Sequence, residues 1–232
     1  MKNKISFIFL FCFFVVACSK SDPMYIGKQY LGVKYVNDPL GEEFAPDTDP
    51  LIRFDAFDCM TFVETALANG DRDILNKIRY QNGKISFLTR NHFVETDWLE
   101  NNKDIFENAS RKYSEHLATR KVVIDKKRWF KTVHNINADI PKQTVKIEYI
   151  PRDYVNGLNI TKPVIVLFII DNSKIRDKIG TDLAVSHMGF LLPGGILRHA
   201  SSQYGRVMDV NFQEYMREHV KNNLGISILE IK

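Results

Sequence analysis

The sequence predicts an α+β fold built as one domain, and three observations carry that prediction. Residues 59–68 have helical apolar spacing and carry a cysteine in the first turn. From residue 145 onward the pattern changes to short β-branched and aromatic runs that follow one another closely, which favours a mainly antiparallel sheet. No repeat, low-complexity stretch or linker divides residues 24–232. Composition agrees with this reading: 232 residues, 44% hydrophobic and 26% charged, exclude a disordered or collagen-like chain. The length supports a core that needs no disulfide framework. The net charge is +4, or +2 without Lys2 and Lys4, and no dense basic block accompanies it. Nucleic acid is therefore not an expected partner.

At the N-terminus, Lys2 and Lys4 precede an apolar run over residues 5–17, a charged segment followed by a hydrophobic one. The run is shorter than the ~20 residues that span a bilayer as a helix. It ends in Val15-Val16-Ala17-Cys18 and turns abruptly polar at Ser19, Lys20, Ser21 and Asp22. That junction resembles a bacterial lipobox. It implies a signal peptide over residues 1–17, lipidation of Cys18, a tether over residues 18–23 and a single domain over residues 24–232. The expected partner at this end is a membrane, reached through the N-terminal lipid. Ser19 after the cysteine resembles lipoproteins of the outer membrane, here facing the periplasm.

The elements follow in order. Residues 24–31 are predicted to form a helix closed by Gly32, and residues 37–55, with three prolines, a loop. Asp58 is a suitable N-cap for residues 59–68, where Cys59, Phe62, Val63, Ala66 and Leu67 form one stripe, and Asn69-Gly70 stops the helix. Residues 71–80 predict a further helix. Residues 83–142 read as helices mixed with long loops. Strands are expected at residues 145–150, 163–170, 184–192, 196–201, 207–210 and 226–231. Asn211 is placed to cap a short helix carrying Phe212, Tyr215 and Met216.

Of the three cysteines, Cys12 leaves with the signal and Cys18 carries lipid, so Cys59 has no disulfide partner in an oxidising compartment. Such a thiol is either a small buried hydrophobe or a nucleophile. A helix N-terminus favours its anion, and the first-turn N–H groups can receive an oxyanion. Six histidines are available as the base. His116, His134 and His219 lie in charged, weakly patterned sequence and read as solvated. His187 lies in an apolar strand, with Val185, Gly189 and Leu191 on its face under strict alternation, and Gly189 leaves room for close approach by a substrate. His199 lies on the next strand. If Pro193, Gly194 and Gly195 form a three-residue loop, Leu192 faces Ile196 and both histidines share a face; a two-residue loop turns His199 away. His92 belongs to the cluster Arg90-Asn91-His92-Phe93 with Asp97-Trp98, which either lines a pocket or caps a helix. No paired spacing such as CxxC or HxxxH accompanies these residues, so no metal is expected.

Residues 58–64 (Asp-Cys-Met-Thr-Phe-Val-Glu), Ser186-His187-Met188-Gly189-Phe190 and Leu197-Arg198-His199-Ala200-Ser201-Ser202 resemble signatures of NlpC-type papain-like cell-wall hydrolases. Residues 58–64 and 90–98 are most similar to the N-acetylmuramoyl-L-alanine amidase-like branch. Tyr30-Leu31-Gly32-Val33-Lys34-Tyr35 resembles the superfamily's first motif, with Lys34 where a proline is usual. The resemblance implies a papain-like fold, in which a helix carrying the cysteine packs on the sheet. It also implies Cys59 as nucleophile, His187 as base and acid, and His199 as the group that orients His187. Tyr35, Asp58 and His92 are the substrate-binding candidates. The implied substrate is peptidoglycan or a muropeptide, cleaved at the N-acetylmuramoyl-L-alanine amide by a monomer without metal or organic cofactor. A γ-D-glutamyl–diamino acid endopeptidase and an inactive peptidoglycan-binding lipoprotein are the alternatives.

Overall fold

In the computed structural model, the residues described are 23–171, 173–218 and 222–232. The signal segment, Cys18, residues 19–22 of the tether and His219 lie outside them. Ten strands form one sheet: β1 (Lys34–Tyr35), β2 (Ala56–Phe57), β3 (Phe106–Asn108), β4 (Ala118–Ile124), β5 (Gln143–Pro151), β6 (Val164–Ile170), β7 (Val185–Leu192), β8 (Ile196–Ser201), β9 (Arg206–Asn211) and β10 (Asn223–Ile231). Their order is β2-β1-β9-β8-β7-β6-β10-β5-β4, with β3 alongside β10. Only β1 and β2 pair in parallel; the other recorded pairings are antiparallel. The helices are α1 (Cys59–Leu67), α2 (Arg72–Arg79), α3 (Leu99–Asn101), α4 (Ser110–Tyr113), α5 (Lys126–His134), α6 (Ser173–Ile179) and α7 (Phe212–Glu218). A π-helical turn, Val94–Trp98, leads into α3.

Strand β6 is buried on both faces and divides the core in two. Ile165, Leu167 and Ile169 join Phe62, Val63 and Ala66 of α1 on one side. Val164, Val166 and Phe168 join Phe212 and Met216 of α7 on the other. The sheet is thus covered by helices on both faces, and α1 lies against β7 and β8. Helix α1 also buries Thr61, Glu64 and Thr65. A carboxylate is tolerated there because partners replace its water. Trp98 donates to Glu64 at 3.0 Å, and the Arg79 guanidinium lies 3.3 Å away.

Two expectations are corrected. Residues 24–31 form two 3-10 turns, Pro23–Tyr25 and Lys28–Tyr30, separated at Gly27, whose φ of 67° no continuous helix accepts. The middle segment contains strands: β4 pairs with β5 from Ala118 opposite Tyr149 to Ile124 opposite Gln143. Its polar start, Thr119-Arg120-Lys121, hides it, because only Val122 and Ile124 turn into the core. Helix α6 and the two-residue strands β1 and β2 also escape a reading that depends on periodicity. The remaining expected strands, the loop over residues 37–55, α2 and the Asn211-capped α7 are found where the pattern placed them.

Candidate active site

Cys59 is the first residue of α1 because Asp58 stops the backbone in an extended conformation and caps it. Asp58 Oδ1 accepts the Thr61 N–H at 2.8 Å, and the Thr61 hydroxyl accepts the Asp58 N–H at 2.9 Å. Reciprocal caps of this kind are worth about 1 kcal/mol. The second Asp58 oxygen accepts the Asp38 N–H at 3.3 Å, which ties the cap to the loop over residues 37–55. Arg90 holds that loop in turn, with Glu42 on Nε and Nη2 at 2.8 and 2.7 Å and Asp38 on Nη1 at 3.2 Å.

The Cys59 sulfur is half-buried between this cap and β7. Burial, and then the Asp58 carboxylate, push the thiol up to about 12, against the pull of backbone N–H groups of Met188, Cys59 and Met60. The Met188 contact sets the sulfur one residue along the strand from His187. The anion expected from the helix N-terminus alone is therefore not the resting form. Tyr35 lies opposite Phe57, next to the cap, and its phenol is raised to about 12 by burial, Cys59 and Asp58. Tyr35, Asp58 and Cys59 thus share one wall.

The imidazoles meet across the β7–β8 hairpin. Leu192 faces Ile196, Leu191 faces Leu197 and Phe190 faces Arg198, the register of a three-residue loop. Gly194 and Gly195 take φ of 81° and 73°, a conformation glycine adopts without strain. His187 Nε2 lies 2.7 Å from His199 Nδ1, and His199 is buried. Gly189 is what lets β8 bring His199 close to β7. A Cβ at position 189 would stand 2.9 Å from the His199 Cβ and 2.8 Å from the Arg198 carbonyl oxygen. Val185 departs from the predicted face. The β6–β7 pairing runs from Phe168 opposite His187 directly to Ile169 opposite Val185, so Ser186 is an extra residue in β7. The bulge puts Val185 in the α1 core beside Met188, while His187 keeps the opposite face and packs on Phe168.

Tyr215 of α7 is the site residue that sequence reasoning missed. Its ring lies 5.0 Å from His199 and 6.0 Å from His187, and burial followed by the charge of Cys59 raises its phenol. Only the packing of α7 under the sheet reveals it. A cavity of about 270 Å³ opens beside His187, Ser186 and Tyr215.

His92 is not brought to this group. Its ring packs within 4.9 Å of Phe87 and Trp129, and Nε2 lies 2.6 Å from the Phe87 carbonyl. Burial pushes it down to about 3, so it stays neutral. His134 joins that aromatic cluster instead of facing water, and His116 stacks on Tyr154. The cavity of about 380 Å³ lined by His92, Arg90, Asp97 and Lys126 has none of Cys59, His187 or His199 in its wall. Among the described residues no group of three or more His, Cys, Asp or Glu side chains is placed to hold a metal.

Residues 25–226 match a family model described as AmiA-like, N-acetylmuramoyl-L-alanine amidase-like. No curated protein matches the chain. Among solved structures, a Legionella pneumophila protein of the DUF1460 family model superposes with a TM-score of 0.80 at 27% identity, covering 90% of this chain and 87% of that one. An N-acetylmuramoyl-L-alanine amidase from Bacteroides uniformis gives 0.72 at 24% identity, over 91% and 98%. A Bacteroides fragilis protein provisionally called a xylanase gives 0.69 at 24% identity, over 88% and 98%. The last two likenesses show a shared fold.

Proposed function

Since this chain belongs to the AmiA-like, N-acetylmuramoyl-L-alanine amidase-like family, we propose that it is a cysteine amidase of peptidoglycan or its muropeptides, cleaving the amide between N-acetylmuramic acid and L-alanine. The observation that carries the reading is the His187–His199 pair at 2.7 Å, beside a capped cysteine that receives the Met188 N–H. His199 Nδ1 holds the His187 ring at its Nε2, which leaves His187 Nδ1 to exchange a proton with the thiol. Because burial keeps the thiol protonated, His187 takes the proton as the sulfur attacks the lactyl carbonyl carbon. The first-turn N–H groups of α1 receive the oxyanion. As the intermediate collapses, the C–N bond breaks and His187 returns the proton to the leaving alanine nitrogen. Water, deprotonated by His187, then hydrolyses the thioester and restores Cys59.

Tyr35 and Asp58 form the wall on the cap side of the sulfur. Both Asp58 oxygens already accept N–H groups, which disfavours its use as the anchor of a free substrate amine and so disfavours the endopeptidase alternative. The same reading includes a monomeric enzyme lipidated at Cys18 and held at the outer membrane, with the apolar run before Cys18 as its support. Mass spectrometry of muropeptides after incubation with the purified protein tests the bond choice. Free stem peptide and unsubstituted glycan are expected; release of L-Ala–D-Glu dipeptide with the lactyl amide intact would replace this function with the endopeptidase.

A further inference from the structure

Glu95 is a buried carboxylate that the proposed reaction does not use. It sits in the π-helical turn Val94–Trp98, far in sequence from the histidines, and turns of this type recur at functional sites. Its Oε1 accepts two consecutive backbone N–H groups, those of Ala184 at 2.5 Å and Val185 at 2.8 Å. Burial raises its carboxyl, while the N–H groups oppose that shift. Burying a carboxylate costs several kcal/mol unless its hydrogen bonds are made, so these two contacts are a substantial constraint on that backbone.

The position of the constraint gives it meaning. Ala184 and Val185 immediately precede Ser186, the extra residue of the β7 bulge. Residues 187–191 pair with β6 in unbroken register, so alternation alone puts His187 on the face opposite Met188 and Phe190 of the α1 core, and strict alternation would carry Val185 to the His187 face as well. The bulge breaks that parity for Val185. Val185 enters the α1 core, and His187 stays with Phe168, Tyr215 and His199. The bulge interrupts the β6–β7 ladder immediately before His187, and its backbone needs something to hold it. Here that is one oxygen of Glu95.

We propose that Glu95 is a positioning residue for His187: by gripping the Ala184 and Val185 amides it fixes the bulged backbone immediately before His187, and so holds the imidazole at its place beside His199 and the Cys59 sulfur. The inference rests on reading Cys59 and His187 as the reacting pair. Glu95 itself touches neither substrate nor reacting atoms.

Three variants test it. Glu95→Ala removes the acceptor, Glu95→Leu removes it while filling the space, and Glu95→Gln keeps an oxygen at Oε1. On muropeptides, Ala and Leu should lower kcat by about tenfold or more with KM changed by less than about twofold, and Gln should retain most of the activity. In a His187→Ala background, Glu95→Leu should add no further loss, since the residue acts through His187. The rate of Cys59 alkylation against pH should move in Glu95→Leu toward the His187→Ala profile. A purely structural Glu95 would lower the melting temperature but leave kcat and the alkylation profile unchanged, and a full additional loss in the double variant would equally overturn the proposal. If the wild type hydrolyses no muropeptide, the amidase reading falls, and the alkylation profile still decides the role of Glu95.

Discussion

A thiol surrounded by apolar packing and one carboxylate keeps its proton, even with backbone N–H groups aimed at the sulfur. That balance sets the residue-scale behaviour of Cys59, whose thiol stands near 12. Because the shift is upward, the thiolate fraction is small below pH 8 and grows about tenfold per pH unit above it. Alkylation of the substrate-free protein by iodoacetamide should therefore be slow at pH 7 and still rising beyond pH 9. A rate already level by pH 6 would show a thiolate–imidazolium pair instead. For the histidines, His187→Ala should remove nearly all turnover, and His199→Ala should cost less, because an orienting contact contributes less than the base. Equal losses in steady-state kcat would contradict that division of roles. Asp58 and the two strand histidines were legible because their signals are local: a cap before an apolar stripe, and a loop length that fixes parity. The thiol's protonation was not legible, since it depends on what packs around it. His92 lines a cavity of its own beside an aromatic cluster, and its distance from the Cys59 group was not legible because both settings are built from the same residue types.

At the scale of elements, two local features flank the histidine pair, and only one is visible in sequence. The Pro193-Gly194-Gly195 loop announces itself through its glycines. The Ser186 bulge does not, and it reverses the predicted face of Val185. Gly189 shows how tightly β7 and β8 are fitted there. Gly189→Ala brings a methyl group to 2.8 Å from the Arg198 carbonyl oxygen and 2.9 Å from the His199 Cβ, so the strands must separate. A loss of about 1–3 kcal/mol in unfolding free energy is expected, together with a fall in kcat as His199 is displaced. Wild-type denaturation and kinetics in this variant would remove Gly189 from the account. Strand β4 escaped notice for a different reason: its polar residues outnumber its buried ones, and only pairing with β5 makes it a strand.

Across the whole molecule, the sheet carries the strands of His187 and His199 at its centre and receives helices on both faces, so α1 brings the cysteine from one side while α7 brings Tyr215 from the other. The α+β class and the mainly antiparallel sheet follow from the helix-then-strands order of the sequence. The coverage of both faces does not, because α7 is marked only by its cap. The proposed lipid anchor at Cys18 is tested on the whole chain: Cys18→Ala should move the protein from the membrane fraction to the soluble fraction, and an unmodified mature protein recovered from wild-type cells would contradict it. The proposed reaction depends on Cys59 as its nucleophile, and the isosteric replacement of that residue is the most direct test. Steady-state hydrolysis of muropeptides by Cys59→Ser, with folding checked by thermal denaturation, should fall by about a thousandfold or more at unchanged stability. Hydrolysis within about tenfold of wild type would show that the sulfur is not the nucleophile.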